Sequence, residues 1–177
     1  MTPTPASAGG EPNPPRTPPC DLQELASALG RVPSGLFILT ARHDGQETGL
    51  LVSWVQQCSF EPPQLTLAVR RGRDVLDWLV PGAGFTLNLL GEGQSGFLSH
   101  FGKGFALGQP AFTGLNVARL PGQAPVLADA LGYLICRVAG RVAAGDHELL
   151  IATVEGGKTL RPDSRPWVHI RKNGLRY

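Results

Sequence analysis

Apolar positions along the chain recur mainly with the period of two that is typical of half-buried β-strands. Gly, Pro and Asp signals bound these runs and separate them into individual strands. The predicted strands cover residues 35–42, 48–53, 55–60, 64–70, 85–90, 133–144, 148–155 and 166–171. His43-Asp44-Gly45-Gln46, which contains the hairpin signal Asp-Gly, joins the first two, and Gly145-Asp146-His147 joins the two longest. Most neighbouring strands are therefore expected to pair as antiparallel hairpins.

Helical periodicity is confined to three short segments. The first is expected to begin after an N-cap at Asp21, with Glu24 three residues on, and to stop at Gly30. Its apolar stripe consists of Leu22, Leu25 and Leu29. A second short helix is predicted after a cap at Asp74, and a third over residues 95–101. Six or more strands with only short helices between them predict a mainly β fold, a closed or partly open antiparallel barrel.

Composition supports a strand-and-turn protein and divides the chain in two. The 23 glycines and 16 prolines are too many for a helical bundle. Seven prolines among small polar residues predict a disordered tail over residues 1–20, with a docking segment as the alternative. A single folded domain is expected over residues 21–177. Three widely spaced cysteines do not form a disulfide framework or zinc motif, so a cytoplasmic location is expected.

Charge and hydropathy exclude several classes of function. No apolar run reaches the 18 residues of a membrane-spanning helix, and the first residues lack the basic and apolar parts of a secretory signal. The formal charge of +2 gives little support to nucleic-acid binding. An oligonucleotide-binding barrel would use the basic residues in 70–73 and 171–176, but only Tyr177 adds a stacking aromatic there. Neither a membrane nor a nucleic acid is therefore an expected partner.

Three motifs of known chemistry are incomplete. Residues 91–96 fit G-x-G-x-x-G, but no parallel strand and no acidic residue follow as a dinucleotide site requires. His147-Glu148 begins a zinc-protease motif whose second histidine is replaced by Ile151. No G-x-S-x-G is present, and no metal site is predicted.

Arg73, beside the start of the second predicted helix, is either a solvated strand end or part of an anion site.

One stretch carries a resemblance to a known family. The segment TGLLVSWVQQCSFEPP, residues 48–63, resembles the flavin-binding segment of the flavin reductase-like family of FMN-binding split barrels. Further matches follow in the same order and extend the resemblance over residues 29–177: Arg73, the segment 85–90, His100-Phe101, the segment 125–133, Gly145-Asp146-His147 and the segment 168–174. The chain is most similar to the flavin reductase module at the C-terminal end of cyanobacterial-type flavodiiron proteins. Because a Pro-rich tail stands where their di-iron and flavodoxin domains would precede it, the resemblance does not carry over their whole-protein role of oxygen reduction.

The resemblance implies a fold, an activity and partners. It implies an antiparallel split β-barrel with a few short helices, forming a homodimer with the flavin site at the subunit boundary. The implied activity is an NAD(P)H:flavin oxidoreductase that binds FMN, with FAD as a further possibility, and receives hydride from NADH or NADPH. The alternative is a non-catalytic FMN-binding electron-transfer partner of a separately encoded oxygen-reducing or monooxygenase component.

The resemblance also implies which residues hold the flavin. Amides and hydroxyls of the bent segment from Ser53 to Ser59 would reach the flavin nitrogen and oxygen atoms, and Arg73 would clamp the phosphate. Gln56 is preferred over Gln57 as the inward residue, since it alternates with Trp54. The full predicted set is Ser53, Trp54, Val55, Gln56, Ser59, Arg73, Phe101 and Lys103. Without a cofactor, Trp54 would be an ordinary buried aromatic, and Ser53 and Ser59 would be strand-edge hydroxyls bonded to backbone.

The Gly-Asp-His turn supplies the predicted catalytic residues. The resemblance places His147 near the open face of the flavin, where it would position the nicotinamide, with Asp146 orienting the imidazole. Hydride transfer needs no protein acid or base, so a positioning role is expected and not proton transfer. The alternative is that His147 is a surface imidazole capped by Asp146.

Overall fold

The computed structural model describes residues 21–175 and is dominated by antiparallel strands. Two α-helices and one 3₁₀ turn interrupt them. The elements in chain order are α1 (Leu22–Gly30), β1 (Ser34–Gly35), β2 (Phe37–His43), β3 (Gln46–Val52), β4 (Val55–Phe60), β5 (Pro63–Arg70), the 3₁₀ turn (Asp74–Asp77), β6 (Gly84–Leu89), α2 (Ser95–Phe101), β7 (Val117–Ala118), β8 (Val126–Leu127), β9 (Gly132–Ala144), β10 (His147–Thr159) and β11 (Val168–His169).

Seven strands form one antiparallel sheet in the order β3-β2-β6-β9-β10-β5-β4. Its two edge strands, β3 and β4, are consecutive in the chain and are joined only by Ser53 and Trp54. A flat seven-stranded sheet would separate them by about 29 Å, given a strand spacing of about 4.8 Å. Two linking residues span at most roughly 11 Å between the strand ends. The sheet must therefore curl until its edges approach, which gives a barrel that stays open between β3 and β4 in the described residues.

Alternating side chains along the strands fill the inside of this barrel. In β5, for example, Leu65, Leu67 and Val69 are buried while their neighbours are less so. Other strands contribute Leu39, Phe85, Leu87, Val138 and Leu150 to the same apolar cluster. A second cluster lies around α2, where Phe101 packs with Ile38, Leu90 and Leu127. Phe101 closes directly over β3, because a side chain at Gly49 would meet its ring at 2.5 Å.

A buried polar network fixes the segment around β8 to the sheet. The Asn88 side chain donates to the carbonyl of Ile38 at 3.1 Å and accepts from the amide of Leu127 at 2.8 Å. The hydroxyls of Thr40 and Thr86 donate to backbone carbonyls of the same segment, at residues 125 and 124. All three polar side chains are fully buried. Each of these three side chains therefore finds the hydrogen-bond partners that burial requires.

The chain divides into two units, which among the described residues cover 33–170 and 21–32 with 171–175. In the smaller unit, α1 is tied to the C-terminal residues by bonds from the amide of Arg171 to Gly30 and from the amide of Gly174 to Ala26. The Asp21 carboxylate accepts from the amide of Gln23, which confirms the predicted cap. The predicted apolar stripe is not buried, because Leu22 is 68% exposed and Ala26 faces inward instead.

Most predicted strands are confirmed to within a few residues, and the exceptions have local causes. The hairpin predicted at Asp44-Gly45 is confirmed, and both residues take positive φ, as a tight turn of this kind requires. The predicted cap at Asp74 is wrong, since Arg73 occupies the N-cap position without a side-chain bond and the helix is a single 3₁₀ turn. The predicted strand over 166–171 shrinks to Val168–His169. The predicted tail, residues 1–20, lies outside the described residues, and none of the helices within them could cross a membrane.

Candidate functional site

His147 meets Trp54 where the short link joins β3 to β4. Their ring centroids lie 4.8 Å apart with the planes tilted by 39°. His147 is only 6% exposed, although it begins β10 directly after a tight turn. Its Nδ1 lies 2.8 Å from Oδ1 of Asp146. The burial shows that the surface-imidazole alternative is wrong, while the predicted contact with Asp146 is present.

Backbone pairing explains how these residues come together. In the sheet, His147 lies opposite Arg70 at the end of β5, and the amide of Arg71 donates to the carbonyl of Asp146. The amide of Ala68 donates to the carbonyl of Trp54 at 3.0 Å. The same strand, β5, therefore holds both halves of the cluster, and Trp54 is brought to it by the short link between β3 and β4.

The second ring nitrogen of His147 lacks a partner. Nε2 is buried and has no hydrogen bond to any of the described residues. Because Nδ1–H donates to the Asp146 carboxylate, Nε2 of the neutral ring is an acceptor. Leaving a buried polar atom unpaired costs about 1–3 kcal/mol. A donor from a bound molecule that reached Nε2 would satisfy this atom.

The hydrogen bond from His147 lowers the pKa of the Asp146 carboxyl from its ordinary value of 3.8, and the charges of His147 and Arg70 act in the same direction. A lowered pKa means that the folded protein favours the ionised carboxylate. This contribution is fully present above the ordinary pKa and is lost as the pH falls through the lowered one. Asp146 itself is largely exposed, so solvent weakens the interaction. The carboxylate is thus charged, and holds the imidazole, throughout the neutral range.

A second group of predicted residues converges at the loop after α2. The guanidinium of Arg73 lies against Gly104, where an added Cβ would stand 2.9 Å from Nη1. Gly104 has φ +77°, a conformation that side chains disfavour. Lys103 precedes it and is exposed. The Arg73 guanidinium thus lies beside a loop that carries a second cation, and this positive charge suits an anionic group.

The remaining predicted residues are distributed differently. Ser53, Val55 and Ser59 are half-buried on or beside β4. Gln56 and Gln57 are both exposed, so the predicted inward position of Gln56 is wrong. Alternation fails here because β4 is an edge strand that pairs only with β5 among the described residues, and neither of its faces is fully covered.

The structure places Phe101 in the core, at 0% exposure, where its ring offers no surface to a ligand. Its role is to seat the loop that carries Lys103 and Gly104. The sequence interpretation missed Gly104, although glycines on both sides of Lys103 were a signal for a backbone that must approach another group closely. It also missed that Trp54 stacks on His147, because nothing in the local sequence relates two positions so far apart.

Comparisons with known proteins agree with this architecture. Residues 29–174 match the family described as "Flavin reductase like domain". The chain is 41% identical over 163 residues to a putative diflavin flavoprotein A 6 from Nostoc sp., covering 92% of this chain and 29% of that protein. It is 37% identical over 155 residues to diflavin flavoprotein A 1 from Synechocystis sp., covering 87% and 27%. The chain thus spans less than a third of the length of these relatives.

Solved structures share the fold. The flavin reductase of the styrene monooxygenase from Pseudomonas putida S12 superposes with a TM-score of 0.68 at 28% identity, covering 81% of this chain and 90% of that one. An NADH:FAD oxidoreductase from Streptomyces globisporus has a TM-score of 0.74 at 20% identity, covering 81% and 85%, a likeness of fold alone. With the match over residues 29–174, these similarities show that the chain belongs to the flavin reductase-like family of oxidoreductases.

Proposed function

We propose that the protein is an NAD(P)H-dependent flavin reductase that binds FMN and passes to it a hydride from reduced nicotinamide. NADH and NADPH are both candidate donors, and FAD is the alternative flavin. We further propose that it acts as a cytoplasmic homodimer. The observation that carries the activity is the buried, unpaired Nε2 of His147 beside Trp54, in a chain of the flavin reductase-like family.

The residues present fit a flavin mononucleotide. Arg73 and Lys103 bring positive charge to one loop, because the absence of a side chain at Gly104 lets the Arg73 guanidinium lie against the residue that follows Lys103. This charge suits the phosphate of FMN. Ser53 and the backbone of the following segment offer polar groups to the edge of a ring system. When bound, FMN would supply two-electron chemistry, the acceptance of a hydride, that no amino-acid side chain provides.

His147 is proposed to position the nicotinamide. A carboxamide N–H that reached Nε2 would satisfy this atom, and the hydrogen bond would fix the donor ring near the cofactor. Asp146 keeps the proton on Nδ1 and therefore keeps Nε2 available as an acceptor. Trp54 supports the imidazole from one side. Because hydride transfer needs no general acid or base, none of these residues has to exchange a proton.

The test is anaerobic flavin reduction by NADH and NADPH in the wild type and in His147→Ala. His43→Ala is a matched control, because His43 also contacts a tryptophan, Trp78, and an adjacent aspartate, but has a 56% exposed side chain. We expect His147→Ala to raise KM for the nucleotide and to lower the rate at saturation by about tenfold, roughly 1.4 kcal/mol, with FMN affinity unchanged. His43→Ala should behave as the wild type.

The size and the pH dependence of the rate loss in His147→Ala decide whether His147 positions the nicotinamide or exchanges a proton. A general acid or base would contribute about 10²–10⁴-fold and would impose an ionisation on the rate profile. A thousandfold loss, with a pH break in the wild type that disappears in the variant, would refute positioning. Unchanged KM and rate would show that His147 has no part in the reaction.

The alternative function is that of a non-catalytic FMN carrier that passes electrons to a separately encoded oxygen-reducing or monooxygenase component. The relatives favour retaining this carrier function as an alternative, since the chain matches less than a third of the length of proteins named diflavin flavoproteins. A stopped-flow experiment separates the two. Bleaching of the flavin absorbance by NADH or NADPH supports the reductase, whereas a yellow protein that neither nucleotide bleaches supports the carrier.

A further inference from the structure

Arg70 lies directly opposite His147 in the sheet, at the end of β5. Residues that face each other on antiparallel strands project from the same side of the sheet, with their Cβ atoms about 4.5–5.5 Å apart. Arg70 is exposed, whereas the imidazole of His147 is buried against Trp54. The chain therefore places a solvent-accessible cation on the side of the sheet that carries the proposed nicotinamide site.

Within the described part of the chain, the side chain of Arg70 forms no hydrogen bond and no ion pair. The two arginines that follow it are engaged elsewhere. Arg71 pairs with Glu148 at 3.2 Å, and the guanidinium of Arg73 lies against Gly104. The fold therefore leaves Arg70 available to a ligand, and the FMN phosphate proposed for Arg73 does not require it.

The charge of Arg70 acts on the Gly-Asp-His turn. After the larger effect of the hydrogen bond from His147, it helps to lower the pKa of the Asp146 carboxyl. The carboxylate itself holds Nδ1 of His147 at 2.8 Å, and among the described residues it forms no ion pair with Arg70. An anion that approached Arg70 would be attracted by the guanidinium and partly repelled by this carboxylate, so a moderate contribution to binding is expected.

We propose that Arg70 binds the diphosphate of the reduced nicotinamide nucleotide while His147 holds the carboxamide of the same molecule. This inference rests on the proposed reductase function and adds the residue that recognises the nucleotide beyond its nicotinamide ring. A guanidinium presents parallel N–H donors that match phosphate oxygens. The diphosphate is separated from the nicotinamide by a single ribose, whereas the additional phosphate of NADPH lies farther away on the adenosine. A residue directly opposite His147 is placed for the nearer group, so NADH and NADPH should use Arg70 equally.

The first test measures binding without electron transfer. ADP-ribose, which has the diphosphate and lacks the nicotinamide, is titrated calorimetrically into the full chain in the presence of excess FMN. We expect Arg70→Ala to raise the dissociation constant of ADP-ribose about tenfold, the lower part of the range for a hydrogen bond to a charged group. Arg70→Lys should lose less affinity, since it keeps the charge but not the planar fork. Arg42→Ala is the matched control, because Arg42 is also an exposed strand arginine whose side chain has no hydrogen bond or ion pair with the described residues.

The second test compares hydride donors with and without phosphate in anaerobic flavin reduction. Arg70→Ala should raise KM about tenfold for NADH and for NADPH, with little change in the rate at saturation. Dihydronicotinamide riboside has the same ring but no phosphate, so its KM should stay within about twofold of the wild-type value. His147→Ala should instead raise KM for all three donors, because each of them carries the carboxamide proposed to reach Nε2.

Several results would overturn the inference. A wild-type chain that does not bind ADP-ribose, or an Arg70→Ala variant that binds it equally well, would show that Arg70 does not hold the diphosphate. A loss confined to NADPH would move the contact to the additional phosphate of that nucleotide, and a loss of FMN affinity in Arg70→Ala would move it to the flavin. Because the ADP-ribose titration involves no reduction, its failure is distinguishable from failure of the proposed function, which is the absence of flavin reduction by every donor.

Discussion

Replacing Arg73 should weaken the binding of FMN and leave the binding of riboflavin almost unchanged. The Arg73 guanidinium lies against Gly104, the residue that follows Lys103, and makes no hydrogen bond or ion pair with the described residues. Riboflavin lacks the phosphate but has the same ring system as FMN. The difference between the two ligands therefore isolates the contribution of the phosphate.

The structure sets the expected magnitude. A hydrogen bond to a charged group contributes about 1.5–3 kcal/mol. Arg73 is exposed, and solvent and salt weaken exposed ionic contacts, so the lower part of this range applies. A loss of about 1.5–2 kcal/mol corresponds to a roughly 10- to 30-fold increase in the dissociation constant of FMN. The riboflavin constant should change by less than about twofold, or roughly 0.4 kcal/mol.

The assay is flavin fluorescence titration of the wild type and Arg73→Ala, at low and at high salt. Arg71→Ala is the matched control, because Arg71 is two residues away, is similarly exposed and already pairs with Glu148 at 3.2 Å. Gly104→Ala offers a second perturbation of the same contact, since the added Cβ would press on the guanidinium from 2.9 Å. We expect it to reproduce part of the loss for FMN, and the loss in Arg73→Ala should shrink at high salt.

Two results would refute this reasoning. Equal weakening of both flavins would mean that Arg73 supports the fold or the ring site, and not the phosphate. An unchanged FMN constant in Arg73→Ala, with a large loss in Arg71→Ala, would place the phosphate on the other side of the turn at Gly72.

Two further predictions concern stability and the tail. Asn88→Ala should lower the free energy of unfolding by about 2–6 kcal/mol, because it leaves two buried backbone partners unpaired at about 1–3 kcal/mol each. Urea unfolding measures this change, with Gln57→Ala as the exposed control. A loss of unfolding free energy below about 1 kcal/mol would contradict the stabilising role of the polar network around Asn88. Deleting residues 1–20 should leave the FMN dissociation constant within about twofold, since a Pro-rich segment of this composition is not expected to preorganise a site, and a larger loss would contradict that expectation.

Local signals in the sequence predicted the parts of the fold that depend on local chemistry. Asp44-Gly45 predicted a hairpin because positive φ at both positions is a property of those residues themselves. Asp21 predicted a helix start because its side chain caps an amide two residues away. Asp74 failed as a cap because it is itself the first residue of a single 3₁₀ turn. The N-cap position before that turn is therefore held by Arg73.

The exposure of individual strand residues was less predictable, since it depends on which strands lie next to one another. Alternation assigned Gln56 an inward position, which would hold for a strand covered on one face. The position of β4 at the edge of the sheet removes that condition. In the same way, the turn at Asp146 suggested that His147 could be exposed, but pairing with β5 draws it inward beneath Trp54.

The candidate site and the closure of the barrel have a common cause. Ser53 and Trp54 are the whole connection between the two edge strands, so their backbone forces the curl of the sheet. Trp54 is then bonded to Ala68, two residues before the position that pairs with His147. The tryptophan therefore reaches the imidazole because the short link brings the two edge strands together at this point. A sequence motif can identify Ser53 and Trp54, but only the order of the strands in the sheet relates them to a histidine more than 90 positions away.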